Sequence, residues 1–122
     1  MMRLQKDYHM FSDLIGKVIT QIDGGVQENE MIFTCSNGER YKMYHEQDCC
    51  EGVSIEDITG DLNDLLHTPI LQAEETGTYE ENAYGEESWT FYKLATVKGY
   101  VTIRWYGSSN GYYSTAVSFE KE

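Results

Sequence analysis

Hydrophobic positions along this chain recur mainly with a period of two. The runs 31–35 and 39–45 flank Ser36-Asn37-Gly38, and Asn-Gly between β-prone runs is the strongest short hairpin signal. Along the second run, Tyr41, Met43 and His45 fall on one face and Arg40, Lys42 and Tyr44 on the other. A strand there delivers His45 beside apolar neighbours at the edge of a core. Residues 53–58 read as a further strand with Val53 and Ile55 on one face. The C-terminal third is the clearest: 88–97, 100–107 and 112–120, separated by Lys98-Gly99 and Ser109-Asn110-Gly111, predict three consecutive antiparallel strands.

Helical spacing is confined to two places. Phe11 to Gly16 suggests a short turn before a strand from about Lys17 to Asp23. In 60–67, Asp61 can cap, Leu62, Leu65 and Leu66 recur at helical spacing, and Pro69 stops the run. Residues 69–74 return to an extended pattern. The segment 74–88 carries six glutamates and no aliphatic side chain beyond Ala83, which predicts a solvated loop too long for a tight hairpin. The sum is a mainly β fold: antiparallel sheet or sheets of six to eight strands with one or two short helices, with α+β as the alternative. No repeat or linker interrupts it, and 122 residues suit one domain with its own core.

Charge narrows the partners. The formal net charge is −12, and between Met43 and Tyr92 there are 13 acidic residues and no Lys or Arg. Such a field repels nucleic acid and attracts basic surfaces, so direct DNA or RNA binding is not expected, whereas binding to a nucleic-acid-binding protein is. No run approaches the ~18 apolar residues of a membrane span. The first residues lack the apolar centre of a signal peptide, which points to the cytoplasm.

The densest chemistry lies in HEQDCCE, where His45, Glu46, Asp48, Cys49, Cys50 and Glu51 give six potential ligands in seven positions. Adjacent cysteines pair only through a strained eight-membered ring, so a Cys49–Cys50 disulfide is not expected. In a reducing cytoplasm these thiols serve as packing or as metal ligands. Imidazole and thiolate are the ligands zinc prefers. The spacing lets a turn after His45 present Cys49 or Cys50 to the same ion, with Asp48 adding a carboxylate and the fourth ligand coming from this cluster, His67, Glu74 or water. The plainer reading is a polar turn with one cysteine packed inside. Cys35 reads as core filling, His67 as a cation in the last turn of the short helix, and His9 as exposed. A nucleophilic pair of Cys49 with His45 or His67 can be drawn, yet no flanking signature, glycine-rich phosphate loop or dinucleotide fingerprint accompanies it. Catalysis is therefore not expected. Aromatic residues crowd 105–113, where Trp105, Tyr106, Tyr112 and Tyr113 could anchor a partner or stabilise a sheet as cross-strand pairs.

HEQDCCE, VSIEDITGDLNDLLHTPILQAEE and WTFYKLATVKGYVTIRWYGSSNGYYS together resemble a family of small phage and prophage proteins, over roughly residues 11–119. The chain also resembles zinc-containing anti-CRISPR proteins that inhibit the RNA-guided DNA endonuclease of type II systems. That resemblance implies a non-enzymatic inhibitor in the host cytoplasm that binds the effector nuclease and blocks loading of target DNA or guide. It also implies a structural zinc held by the His and Cys residues of the turn, for which His45, Asp48, Cys49 and Cys50 are the candidates. Glu74, Glu75, Glu80, Glu81, Glu86 and Glu87 are the candidate contact surface. Two other classes stay open: a sponge for a nucleotide immune signal, using Tyr106, Tyr112, Arg104 and Lys93, and a metal- or cysteine-dependent enzyme.

Overall fold

The computed structural model describes residues 10–122; His9 lies outside them. Eight strands follow a 3₁₀ turn at Phe11–Leu14: β1 (Ile19–Asp23), β2 (Glu30–Cys35), β3 (Arg40–Tyr44), β4 (Gly52–Thr59), β5 (Gln72–Asn82), β6 (Gly85–Thr96), β7 (Gly99–Ser109) and β8 (Ser118–Lys121). A second 3₁₀ turn, Leu62–Leu65, precedes β5. The strands form two antiparallel four-stranded sheets, ordered β1-β2-β3-β8 and β4-β7-β6-β5.

Local chemistry explains most of these elements. Asn37-Gly38 turns β2 into β3, with Gly38 at φ +91, a conformation that costs only glycine nothing. Asp61 caps the second 3₁₀ turn by accepting the Asn63 amide at 2.9 Å. Inward positions of both sheets meet in one core. Met31, Phe33, Tyr41 and Met43 pack opposite Ile55, Tyr92, Leu94, Ile103 and Trp105. Trp105 bridges the layers by donating its indole N–H to Met43 Sδ at 3.1 Å, and Phe11 wedges between Tyr92 and Phe119. Cys35 is a buried free thiol in this core.

Two sequence expectations are corrected. The segment 112–120 is not one strand. Only Ser118–Lys121 pairs, and it pairs with β3 rather than β7. Residues 112–117 carry the chain from β7 in the second sheet to β8 in the first, outside either ladder. The segment 74–88 is not a loop: β5 and β6 pair continuously from Gln72↔Ala95 to Asn82↔Gly85. Its turn needs only Ala83 and Tyr84, with Asn82 Oδ1 accepting the Tyr84 amide at 2.8 Å. Gly85 sits at φ +137, and a Cβ there would lie 2.1 Å from the Ser109 carbonyl. The alternating pattern is missing because β5 is an edge strand exposed almost throughout beyond Ala73, so its far half has no core face to encode.

Candidate functional site

The turn after β3 is built around Glu51 rather than around the cysteines. Extending the inward alternation of Val53 and Ile55 back by two residues places Glu51 on the core face. The side chains of His45 and Glu51 are 3% and 0% exposed, with Nε2 and Oε2 2.7 Å apart. Glu51 Oε2 also accepts the Asp48 amide at 2.7 Å, and Oε1 accepts the Cys49 amide at 2.9 Å. On its own, desolvation would raise this carboxyl; the Asp48 amide, the His45 ring and the amides of Cys49 and Glu51 outweigh it and lower the pKa to about 2. The other ring nitrogen, His45 Nδ1, meets the Ala116 carbonyl at 2.7 Å, which ties the turn to the crossing segment. Gln47 completes the turn, donating to the carbonyls of Cys49 at 3.1 Å and Glu51 at 2.8 Å.

Within this frame Cys49 and Cys50 are exposed and joined to each other by a disulfide, against the sequence expectation. The backbone is fixed from outside by Glu51 and Gln47, so the conformation that sets the two sulfurs side by side does not depend on the cysteines alone.

The zinc expected here does not fit this arrangement. A disulfide offers no thiolate, and both ring nitrogens of His45 are engaged by acceptors. Asp48 is brought into the cluster by its amide. Among the described residues no group of three or more His, Cys, Asp or Glu side chains is placed to hold a metal. His67 lies beyond the end of the second 3₁₀ turn, in the left-handed region at φ +68, so it is not a cation in a last helical turn. Glu74 belongs to β5. Sequence reasoning missed Glu51 as the centre of the cluster; the signal was its place on the inward period of β4, since a buried carboxylate requires partners.

The six glutamates all lie on the β5–β6 hairpin, but register divides them between its faces. Glu74, Glu80 and Glu87 share the outer face of the second sheet, whereas Glu75, Glu81 and Glu86 share the face of Ala73 and Tyr92. Two cross-strand pairs, Glu80↔Glu87 and Glu81↔Glu86, set like charges opposite each other. Glu75 differs from the others: partial desolvation raises its carboxyl, countered by a hydrogen bond to Tyr92. The outer face also carries Trp89 and Phe91 of β6 and Tyr106 of β7, all half-buried. Trp89 and Tyr106 are cross-strand partners with ring centroids 5.5 Å apart, and the Tyr106 hydroxyl donates to Glu87. Arg104 on the same face is paired with Glu56 at 2.8 Å, and Lys93 stands opposite Glu74.

An open groove of about 600 Å³ separates this face from the turn, lined among others by Gln27, Glu28, Asn29, Gln47, Ser54 and Tyr106. Among the described residues its lining includes no basic side chain. No helix among the described residues is long and apolar enough to cross a membrane.

One comparison places the chain. The model of a domain of unknown function, DUF7448, matches residues 12–119. The chain belongs to the DUF7448 family. No curated protein and no solved structure matches it. The span matched to DUF7448 takes in the Glu51 turn, the whole acidic hairpin and the groove between them.

Proposed function

We propose that this DUF7448 domain is a non-catalytic binding protein that docks the outer face of its second sheet on a basic surface of a nucleic-acid-handling protein. The observation that carries this reading is an aromatic strip, Trp89, Phe91 and Tyr106, beside an acidic hairpin whose Glu80 and Glu87 stand directly opposite each other across the two strands. Aromatic anchors supply contact energy, and the surrounding carboxylates select a cationic partner and speed encounter. Like charges opposed on one hairpin destabilise it in isolation, and a partner's Lys and Arg side chains relieve that repulsion. The partner named by the resemblance, a type II RNA-guided nuclease with a basic nucleic-acid channel, is the first to test.

The test is a binding and cleavage assay with guide-loaded nuclease and two triple variants. Reversing Glu74, Glu80 and Glu87 to Lys should abolish binding and release DNA cleavage. Reversing Glu75, Glu81 and Glu86, on the opposite face, should leave most of both effects. Equal behaviour of the two triples removes the face from the proposal. Absence of binding by the unaltered protein removes this nuclease as the partner.

A further inference from the structure

The Cys49–Cys50 disulfide stabilises nothing globally that its neighbours do not already hold. A cross-link acts chiefly by restricting the unfolded chain, and its effect shrinks with the loop it closes. Here the sequence separation is one residue, the smallest loop a chain can close. Both residues are exposed, in contrast to Cys35, which is buried in the core. Exposed disulfides are the labile class. The pair also sits at a junction. The Cys49 amide is one of the donors holding Glu51, Glu51 holds His45, and His45 holds Ala116 of the segment that crosses between the sheets. The Cys49 carbonyl is held by Gln47, which lines the groove.

We propose that Cys49–Cys50 is a thiol–disulfide exchange centre opened by a dithiol reductant, and that its state is passed through Glu51 and His45 to the crossing segment and through Gln47 to the groove. A thiolate of the reductant attacks one cysteine sulfur, breaking the S–S bond and expelling the other cysteine as thiolate. The second thiol of the reductant then displaces the first cysteine from the mixed disulfide. The chain gains two electrons and two protons as two thiols, and the reductant leaves as its own disulfide. Glu46 and Asp48 beside the pair make the approach acidic, so a neutral dithiol reacts faster than a monothiol carrying net negative charge, such as glutathione.

The experiment uses the whole folded chain and dithiothreitol. Reduction under native conditions followed by iodoacetamide should add two alkyl groups per chain, with Cys35 protected until the protein is denatured. Hydrogen exchange at the Asp48 and Cys49 amides should accelerate about ten-fold on reduction, while amides of β6 and β7 keep their protection. A Cys49→Ser, Cys50→Ser variant should show the accelerated exchange without reductant and no response to it. Should that variant fail to fold, the reduced wild type alone decides. Failure to alkylate without denaturant, unchanged exchange at Asp48 and Cys49, or loss of protection across both sheets would each overturn the proposal.

Discussion

The His45 ring is held from both sides, by the Ala116 carbonyl at Nδ1 and by the Glu51 carboxylate at Nε2. Removing either member leaves the other buried without its counterpart, the costly way to break such a pair. The acid limb of stability follows from Glu51. Its carboxyl is lowered from 4.5 to about 2 on folding, so as pH falls the unfolded chain takes up the proton first. Its contribution is complete above about pH 4.5 and disappears as pH approaches about 2. Urea-unfolding midpoints recorded from pH 7 to 2 should show Glu51→Gln less stable at pH 7 and with a shallower decline below pH 4.5. Part of the decline will remain, since Glu39 is also held well below the usual carboxylate range by Lys17, Asn37 and Lys121. A variant profile parallel to the wild type would show that Glu51 is not ionised in the folded protein. The same residues decide the metal question: elemental analysis of the oxidised protein should find no stoichiometric zinc, and one zinc per chain would contradict the arrangement of the turn. HEQDCCE was legible as an unusual cluster, but not as a carboxylate-centred one. Ligand counting weighs His, Cys and Asp by type, whereas the structure is decided by which of them point inward.

The β5–β6 hairpin shows at element scale what pattern reading sees and misses. Strands β2, β3, β4 and β7 were legible because one face of each is buried, so composition alternates along them. β5 beyond Ala73 is exposed on both faces, and its continuation was invisible for that reason. β8 misled in the other direction: alternation is present across 112–120, but pairing depends on which sheet the chain reaches. Glutamates on an edge strand also keep that edge from pairing with another copy, a role that does not require a partner protein. The two roles separate by mutation. Glu80→Lys with Glu81→Lys places opposite charges across from Glu87 and Glu86, so each exchange should stabilise the isolated domain by about 0.2–1 kcal/mol. Thermal unfolding of the double variant should show this gain while partner binding falls. A loss of stability instead would mean that the paired glutamates are not in the register described. Gly85→Ala gives the complementary result at the tip. The new methyl meets the Ser109 carbonyl and the Asn110 backbone, so the tip must shift, and amide signals at 82–86 and 108–110 should move together.

At the scale of the whole molecule, the unequal placement of charge is as informative as its total. The stretch from Met43 to Tyr92 carries every acid of the Glu51 turn and the hairpin and no Lys or Arg. The described cations that remain are partly spent within the fold: Lys17 and Lys121 on Glu39, Lys42 on Glu30, Arg104 on Glu56. The second sheet therefore presents a negative field, and a field of this kind acts mainly on the rate of encounter. With the Debye length shrinking from about 14 Å at 0.05 M salt to about 4 Å at 0.5 M, association with a basic partner should slow by about ten-fold or more. Dissociation, governed by close contacts of Trp89, Phe91 and Tyr106, should change far less. Surface plasmon resonance across that salt range reads both rates separately. Trp89→Ala should reverse the pattern, raising the dissociation rate and leaving the salt dependence of association in place. If salt acts on dissociation instead, the carboxylates are in direct contact across the interface and the aromatic strip is not its centre.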